Sequence, residues 1–196
     1  MSRRLREMSK RMAAKEVGQM IMIDPKIAHN YVEHFVEMRE RGKGLLLYGG
    51  VGTGKTFISA CIANALIDKG YSCLVTNFSR LANTLNGMYA ERQEYLDRLN
   101  RFSLLVIDDL SAERGTEYMD EIVHTVIDAR CRSGKPLIAT TNLSKEDFTR
   151  ASDVRKQRIY SRLLEMCVPY EVKGVDRRRE KLKADNEDIK KLLEME

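Results

Sequence analysis

The chain has 196 residues, of which 43% are hydrophobic and 32% are charged, with a formal net charge of +5. This length suits one domain with a sizeable core and is too short for two ordinary domains. No apolar run approaches the roughly 18 residues of a membrane span, and the N-terminus lacks the apolar core of a signal peptide. The four cysteines form no C-x-x-C pair, so we expect a cytoplasmic globular protein with reduced thiols and no zinc site.

Strands alternate with helices along the chain, which predicts an α/β fold with a parallel sheet. We expect a basic N-terminal arm and lead-in helix over 1–40, a core over 41–176 and a charged C-terminal helix over 177–196. Within the arm, residues 1–20 are basic. The lead-in helix starts at Asp24-Pro25, an N-cap followed by a proline at the first helical position. The predicted strands are 44–48, 73–76, 103–107, 136–141 and 168–172. The predicted helices are 24–41, 57–69, 78–88, 91–101, 117–131 and 154–165, with a further short helix that begins at 144.

The strongest motif lies between the first strand and the helix that follows. Residues 49–56 match G-x-x-x-x-G-K-[ST], the phosphate-binding P-loop. Glycines let backbone N–H groups close around phosphate oxygens, and the helix N-terminus adds its positive dipole. Lys55 would reach the β- and γ-phosphates of ATP, and the Thr56 hydroxyl would hold Mg²⁺. The alternative is a chance match in a glycine-rich turn. The predicted nucleotide contacts are Gly50, Val51, Gly52, Thr53, Gly54, Lys55, Thr56 and Phe57.

A second motif ends the predicted third strand. Four apolar residues, 104–107, are followed by Asp108 and Asp109. Ligands bind at the carboxyl ends of parallel strands, where the P-loop also lies. Asp108 would hold Mg²⁺ directly or through water, and Asp109 would orient the attacking water. The alternative is an aspartate pair that only caps a turn.

Two further signals are weaker when taken alone. Asn142 follows the fourth strand, where an amide could contact the γ-phosphate or the attacking water, or could simply form an Asx turn. Arg158 and Arg162 lie four residues apart on one helical face. An arginine from a neighbouring subunit often stabilises charge in phosphoryl transfer, and surface salt bridges are the alternative.

Together these motifs resemble the AAA+ ATPases of the replication-initiator branch, most closely the bacterial and phage helicase loaders (DnaC- and DnaI-like). The IstB transposition helpers are their sister proteins. The resemblance covers about residues 40–180 and is carried by the ordered motifs at 49–56, 104–110, 140–143 and 158–163. It implies a three-layer, ASCE-type P-loop fold with a central parallel five-stranded sheet.

The resemblance also implies roles for individual residues. Lys55 and Thr56 match Walker A, Asp108 and Asp109 match Walker B, and Asn142 matches sensor I. Arg162 matches the arginine finger, with Arg158 as its structural neighbour. The helices at 78–101 match the insertion that lines the path of single-stranded DNA. Sensor II, if the chain has one, would be Arg177, Arg178 or Arg179, and the resemblance does not select among them.

Three departures from the family pattern stand out. Many AAA+ proteins have glutamate as the second Walker B acid, whereas Asp109 is shorter by a methylene, so we expect slow turnover. The chain after Val172 is too short for a helical lid, so we expect no separate lid domain, which weakens the sensor II assignment. Helicase loaders carry an N-terminal domain that grips the helicase, and only about 40 residues precede the core here. We therefore expect either a fragment or a protein without that domain.

The function that the resemblance implies is an ATP-hydrolysing replication protein that forms an ATP-dependent homo-oligomer. It would load a hexameric replicative helicase onto single-stranded DNA. Alternatives are a transposase helper that binds duplex DNA and a small-molecule kinase. Arg92, Arg98 and Arg101 would add charge to a DNA path that begins with Arg80, Asn83 and Thr84, although an ordinary solvated helical hairpin is also compatible with these residues. The basic segments 1–20 and 173–183 could bind an anionic partner or could simply be solvated helix faces.

Overall fold

Helices and strands alternate in the predicted order. The computed structural model describes residues 25–88, 90–110, 117–150 and 153–176, together with Arg179, Leu182, Asn186, Ile189, Leu192 and Leu193. The strands are β1 (Gly44–Tyr48), β2 (Cys73–Asn77), β3 (Leu104–Asp108), β4 (Leu137–Thr141) and β5 (Cys167–Glu171). The helices are α1 (Pro25–Glu33), α2 (Phe35–Glu40), α3 (Lys55–Asp68), α4 (Phe78–Asn86), α5 (Arg92–Leu99), α6 (Glu117–Arg132), α7 (Lys145–Thr149) and α8 (Val154–Met166).

The five strands form one parallel sheet in the order β2-β3-β4-β1-β5. β4 separates β1 from β3, with Leu46 paired to Ala139 and Val106 paired to Ile138. The segments that follow β1, β3 and β4 therefore meet at one edge of the sheet, as ligand-binding loops do in open α/β folds. The predicted α/β class with a central parallel sheet of five strands is confirmed.

Helices cover both faces of this sheet. Successive side chains of a strand point to opposite faces, and the strands are apolar on both. Leu46 and Leu105 pack in a cluster with α4, α5, α6 and α8. Leu45 and Val106 pack on the other face with α1, α2 and α3. The result is the predicted three-layer arrangement, with the helices holding the central sheet between them.

Boundaries differ from the prediction in two informative places. The helix predicted over 24–41 is interrupted at His34, which has φ −97° and ψ 20°, so α1 and α2 are separate. The His34 main-chain N–H donates to the Asn30 carbonyl oxygen, and its ring Nδ1 also lies 3.0 Å from that oxygen. Helix α3 begins at Lys55 rather than Phe57. The reason is that Gly54, with φ 104°, is the left-handed residue from which the helix starts.

A buried arginine joins α5 to the core of the domain. Arg130 of α6 has no exposed surface. Its guanidinium donates to the carbonyl oxygens of Pro136 (2.8 Å), Phe102 (3.1 Å) and Leu99 (3.4 Å). Burial lowers the pKa of Arg130 to about 10, which leaves it charged at neutral pH. It therefore fixes the end of α5 to the segments that lead into β3 and β4.

Several expectations fall on residues that the structure does not describe. The basic arm at 1–20 and the sensor II candidates Arg177 and Arg178 lie outside the described residues, as does most of the predicted C-terminal helix. In the ranges that the structure does describe, no helix has both the length and the apolar character needed to cross a bilayer.

Candidate functional site

The P-loop connects β1 to α3 at the carboxyl edge of the sheet. Gly52 and Gly54 have φ angles of 77° and 104°, which side-chain-bearing residues rarely adopt. A Cβ atom at Gly52 would also lie 2.0 Å from the Asp176 Oδ1 atom, because the segment after β5 passes over the loop. Glycine is therefore required at both positions for the turn, and at Gly52 also because Asp176 lies so close.

Lys55 is the first residue of α3 and is buried, at 7% exposure. Its ammonium Nζ donates to the carbonyl oxygens of Gly49 (2.8 Å) and Gly50 (2.7 Å). These acceptors are neutral, whereas phosphate oxygens are charged and form stronger hydrogen bonds with a cation. The ammonium is thus held at the loop, where a phosphate would compete favourably with the carbonyls.

The side chains of the other predicted P-loop contacts either bond within the loop or lie away from it. Thr53 is buried, and its hydroxyl donates to the Gly50 carbonyl oxygen at 3.0 Å, which stiffens the loop. The Val51 side chain is 54% exposed, and the Phe57 side chain packs against the core cluster beneath the sheet. Val51 and Phe57 would therefore contact a phosphate through their main-chain N–H groups.

Asp108 joins the P-loop helix to the sheet. Its Oδ1 atom accepts a hydrogen bond from the Thr56 hydroxyl at 2.8 Å and a second from the Thr140 hydroxyl at 2.7 Å. Both donors bind the same oxygen, which leaves Oδ2 without a hydrogen bond from any described residue. The Thr56 oxygen keeps its lone pairs while it donates its proton. Oxygen ligands of this kind suit Mg²⁺, which keeps waters and phosphate oxygens as its remaining ligands.

Asp109 follows Asp108 in a left-handed conformation, with φ 56°. Among the described residues it is the one non-glycine with a positive φ. Its main-chain N–H donates to the Thr140 hydroxyl oxygen at 2.8 Å, and the N–H of Leu110 donates to the Thr140 carbonyl oxygen at 2.7 Å. Asp109 itself is exposed. A carboxylate is thus presented to solvent beside the proposed magnesium ligands, where it could orient a water.

Asn142 lies one residue beyond β4, at the same edge of the sheet, and is exposed. β4 is the strand between the P-loop strand and the strand that ends in Asp108. The structure therefore brings together the P-loop, Asp108, Asp109 and Asn142, each of which the sequence placed in the site.

Arg162 does not join this group within one chain. It lies near the end of α8, and the next strand begins at Cys167, which is paired with Gly44 at the opposite end of β1 from the P-loop. A five-residue strand, about 13 Å long, separates the two edges. The guanidinium pairs with Asp128 (3.3 Å) and Glu165 (2.7 Å), and this contact lowers the pKa of the Glu165 carboxyl.

The helices proposed to contact DNA lie on one face of the sheet. Arg80 and Asn83 of α4 are exposed, and the Thr84 hydroxyl donates to the Arg80 carbonyl oxygen at 2.9 Å. On α5, the Arg98 guanidinium lies 5.7 Å from the centroid of the Tyr95 ring. Further charges of both signs are exposed on or beside α5, namely Glu91, Glu94, Asp97, Arg98 and Arg101. The surface is therefore mixed in charge.

Two residues of this site were missed by the sequence analysis. Thr140 contacts both aspartates, but a threonine inside an apolar strand reads as an ordinary β-former. Asp176 lies against the P-loop at Gly52, a contact between distant parts of the chain that no local pattern predicts. The doubled threonine at 140–141, at the end of a buried strand, is the signal that could have pointed to Thr140.

The two aspartates should behave differently when each is replaced by asparagine. Asp108→Asn is expected to weaken Mg²⁺-dependent nucleotide binding, because the proposed metal ligand loses its charge. Asp109→Asn is expected to spare binding and to slow hydrolysis about 10²–10⁴-fold, the usual contribution of general acid–base catalysis. Calorimetry with and without Mg²⁺, together with a phosphate-release assay, separates the two effects. Identical profiles for the two variants would contradict this assignment of roles.

Comparisons with known proteins agree on one group of related ATP-binding proteins. A family model described as "IstB-like ATP binding protein" matches residues 4–184. The replicative helicase loader DnaI of Bacillus subtilis is 32% identical over 70% of this chain and 48% of its own length. The loader DnaC of Escherichia coli is 28% identical over 68% of this chain and 54% of its own. The chain thus spans about half the length of the curated relatives it matches.

A solved structure shares the fold. The crystal structure of the DnaC helicase loader superposes with a TM-score of 0.64 at 26% sequence identity. The superposition covers 75% of this chain and 86% of that one. This similarity supports the AAA+ form of the P-loop fold that the motifs predicted.

Proposed function

Because the chain belongs to the family of IstB-like ATP-binding proteins, we propose that it acts in DNA replication as an ATP-hydrolysing AAA+ protein. Its task would be to load a hexameric replicative helicase onto single-stranded DNA in the cytoplasm. The observation that carries the nucleotide part is the contact between Thr56 and Asp108, which brings the P-loop helix and the acidic strand end within 2.8 Å. The helicase part is supported by the likeness to DnaI and DnaC.

Nucleotide binding would rest on the P-loop and one cation. Main-chain N–H groups of residues 50–57 would surround the phosphates, and Lys55 would exchange its carbonyl acceptors for β- and γ-phosphate oxygens. Thr56 and Asp108 would hold Mg²⁺, which neutralises charge on the phosphates when bound. The buried position of Lys55 strengthens these contacts because little water competes for the ammonium.

Hydrolysis would need residues from two subunits. Asp109 would orient the attacking water, and Asn142 would contact the γ-phosphate or that water. Arg162 lies at the opposite edge of its own sheet, so we propose that it acts on the nucleotide of a neighbouring subunit. The protein would then hydrolyse ATP only when assembled as a homo-oligomer, and slowly, because the aspartate side chain is short.

The transposase-helper function remains the second candidate because the matching family model takes its description from IstB. Such a protein would bind duplex DNA rather than load a helicase. The two functions differ in their partner and in the form of DNA that they bind, so each can be tested by direct binding.

The helicase proposal is tested by co-purification with the replicative hexameric helicase of the host. We expect a complex that forms with ATP and dissociates after hydrolysis, and that Lys55→Ala prevents. Absence of helicase binding by the intact gene product, combined with tight duplex binding, would favour the transposase-helper function instead.

The DNA path is tested at Arg80. Fluorescence anisotropy with a labelled single-stranded oligonucleotide should show weak, sequence-indifferent binding that needs ATP. Each neutralised phosphate contributes a salt-dependence slope of about −0.7, so Arg80→Ala should flatten the slope by about that amount for every sequence. Arg39→Ala is the matched control, because Arg39 is an exposed arginine on α2, across the sheet. Binding that depends on neither ATP nor Arg80 would place the DNA contact elsewhere, with the basic arm at 1–20 as the next candidate.

A further inference from the structure

Thr140 makes three hydrogen bonds to the segment that carries the two aspartates. Its hydroxyl donates to Asp108 Oδ1 (2.7 Å) and accepts from the main-chain N–H of Asp109 (2.8 Å), and its carbonyl oxygen accepts from the N–H of Leu110 (2.7 Å). A threonine hydroxyl has one proton to donate and lone pairs to accept, so both side-chain contacts are satisfied together. Thr140 is 2% exposed, and this pattern is therefore shielded from water.

These contacts act where the regular pairing of β3 with β4 ends. The last paired residues are Ile107 and Ala139. Beyond them, Asp109 has a left-handed backbone conformation, which is energetically unfavourable for a residue with a side chain. The Thr140 hydroxyl and carbonyl oxygens accept hydrogen bonds from the N–H groups of Asp109 and Leu110, which lie on either side of the Asp109 Cα atom. Thr140 is thus placed to keep Asp109 in this conformation.

The same hydroxyl sets the orientation of Asp108. Thr56 and Thr140 donate to one carboxylate oxygen from different elements, α3 and β4. Two donors fix the rotation of the carboxylate more firmly than one. The second oxygen receives no hydrogen bond from either hydroxyl and stays available to Mg²⁺ or its bound water.

We propose that Thr140 is a positioning residue for hydrolysis. It would hold the proposed metal ligand Asp108 and the proposed water-orienting residue Asp109 in one geometry through a single buried hydroxyl. This inference rests on the proposed ATPase function and adds to it a residue in β4 that would act through the two aspartates. It also links both acids to the strand that leads to Asn142.

Thr140→Val tests the inference because valine keeps the β-branched shape and removes the hydroxyl. The loss of one hydrogen bond to a charged group is large enough to slow a reaction by about 10–100-fold. We expect turnover to fall by that factor and the Mg²⁺ concentration for half-maximal activity to rise. Thr140→Ser keeps the hydroxyl and should restore turnover to within about threefold of the parent protein, allowing for the lost methyl group.

Thr141→Val is the matched control. Thr141 is equally buried, at 2% exposure, but its hydroxyl donates to the Leu110 carbonyl oxygen (3.2 Å) and contacts neither aspartate. We expect Thr141→Val to lower the melting temperature about as much as Thr140→Val while leaving turnover within about threefold. Equal losses of turnover in both valine variants, or no recovery in Thr140→Ser, would show a structural role only and overturn the inference.

A second readout needs no nucleotide. Amide hydrogen exchange by NMR in the ligand-free protein should show the Asp109 N–H exchanging at least about tenfold faster in Thr140→Val, with protection kept in Thr140→Ser and Thr141→Val. If the parent protein fails to hydrolyse ATP, the proposed function is wrong. The exchange pattern still shows whether the Thr140 hydroxyl holds the Asp109 N–H in place. Unchanged exchange and turnover in Thr140→Val would overturn the inference and leave the proposed function standing.

Discussion

Replacing Lys55 by alanine is expected to raise the Kd for ATP by about 100-fold or more. The ammonium is buried at the P-loop and would form at least two charge-assisted hydrogen bonds to phosphate oxygens. Each such bond contributes about 1.5–3 kcal/mol, so the loss of two corresponds to at least this change in Kd. Isothermal titration calorimetry with ATP and Mg²⁺ measures it directly.

Lys69→Ala is the control for this variant. Lys69 lies just beyond the other end of α3 and pairs with Glu33 at 2.8 Å on the surface, where such a salt bridge contributes little. We expect the Lys69→Ala protein to bind ATP as the parent does. Unchanged ATP affinity in Lys55→Ala would contradict the assignment of the P-loop as the nucleotide site.

Arg162→Ala is expected to bind ATP almost normally and to lose the hydrolysis that depends on assembly. A supplied arginine finger is worth about 10³–10⁵ in rate in related systems. The effect here should be smaller if the short side chain of Asp109 already limits turnover. Steady-state ATPase rates, measured across protein concentration, give the size of the assembly-dependent part.

Action across a subunit boundary is tested by mixing variants. An Arg162→Ala subunit still binds ATP and can receive the arginine of a Lys55→Ala neighbour, so the mixture should regain activity that neither variant has alone. Arg132→Ala is the control for the loss of a surface ion pair. Arg132 pairs with Asp128 (3.1 Å), the same carboxylate that Arg162 contacts. No recovery in a mixture that co-assembles, or an equal loss in Arg132→Ala, would indicate a local structural role for Arg162.

Much of the site could be predicted because its signals are local and ordered. The P-loop needs a glycine pattern between a strand and a helix, and each of these has its own periodicity. Once the sheet is known to be parallel, the ends of its strands must share an edge. The positions of Asp108, Asp109 and Asn142 at the edge that carries Lys55 then follow without any knowledge of side-chain contacts.

The remainder depends on contacts between distant parts of the chain. Arg130 lies near the end of a helix where a basic residue is ordinary, and nothing local shows that its guanidinium is buried among carbonyl oxygens. Thr140 and Thr141 are identical neighbours, yet only one faces the two aspartates. The break at His34 is a change in the backbone angles of one residue, which hydrophobic periodicity does not report.

The rate of ATP hydrolysis with different stimulants tests most directly whether the proposed ATPase acts on single-stranded DNA. The rate is measured with single-stranded DNA, duplex DNA or nucleoside monophosphates, with Lys55→Ala as the blank. We predict stimulation by single-stranded DNA that exceeds stimulation by duplex DNA, and none by monophosphates. Stimulation by duplex DNA alone would contradict a role on single-stranded DNA and support a transposase helper. Phosphoryl transfer to a monophosphate would identify a kinase.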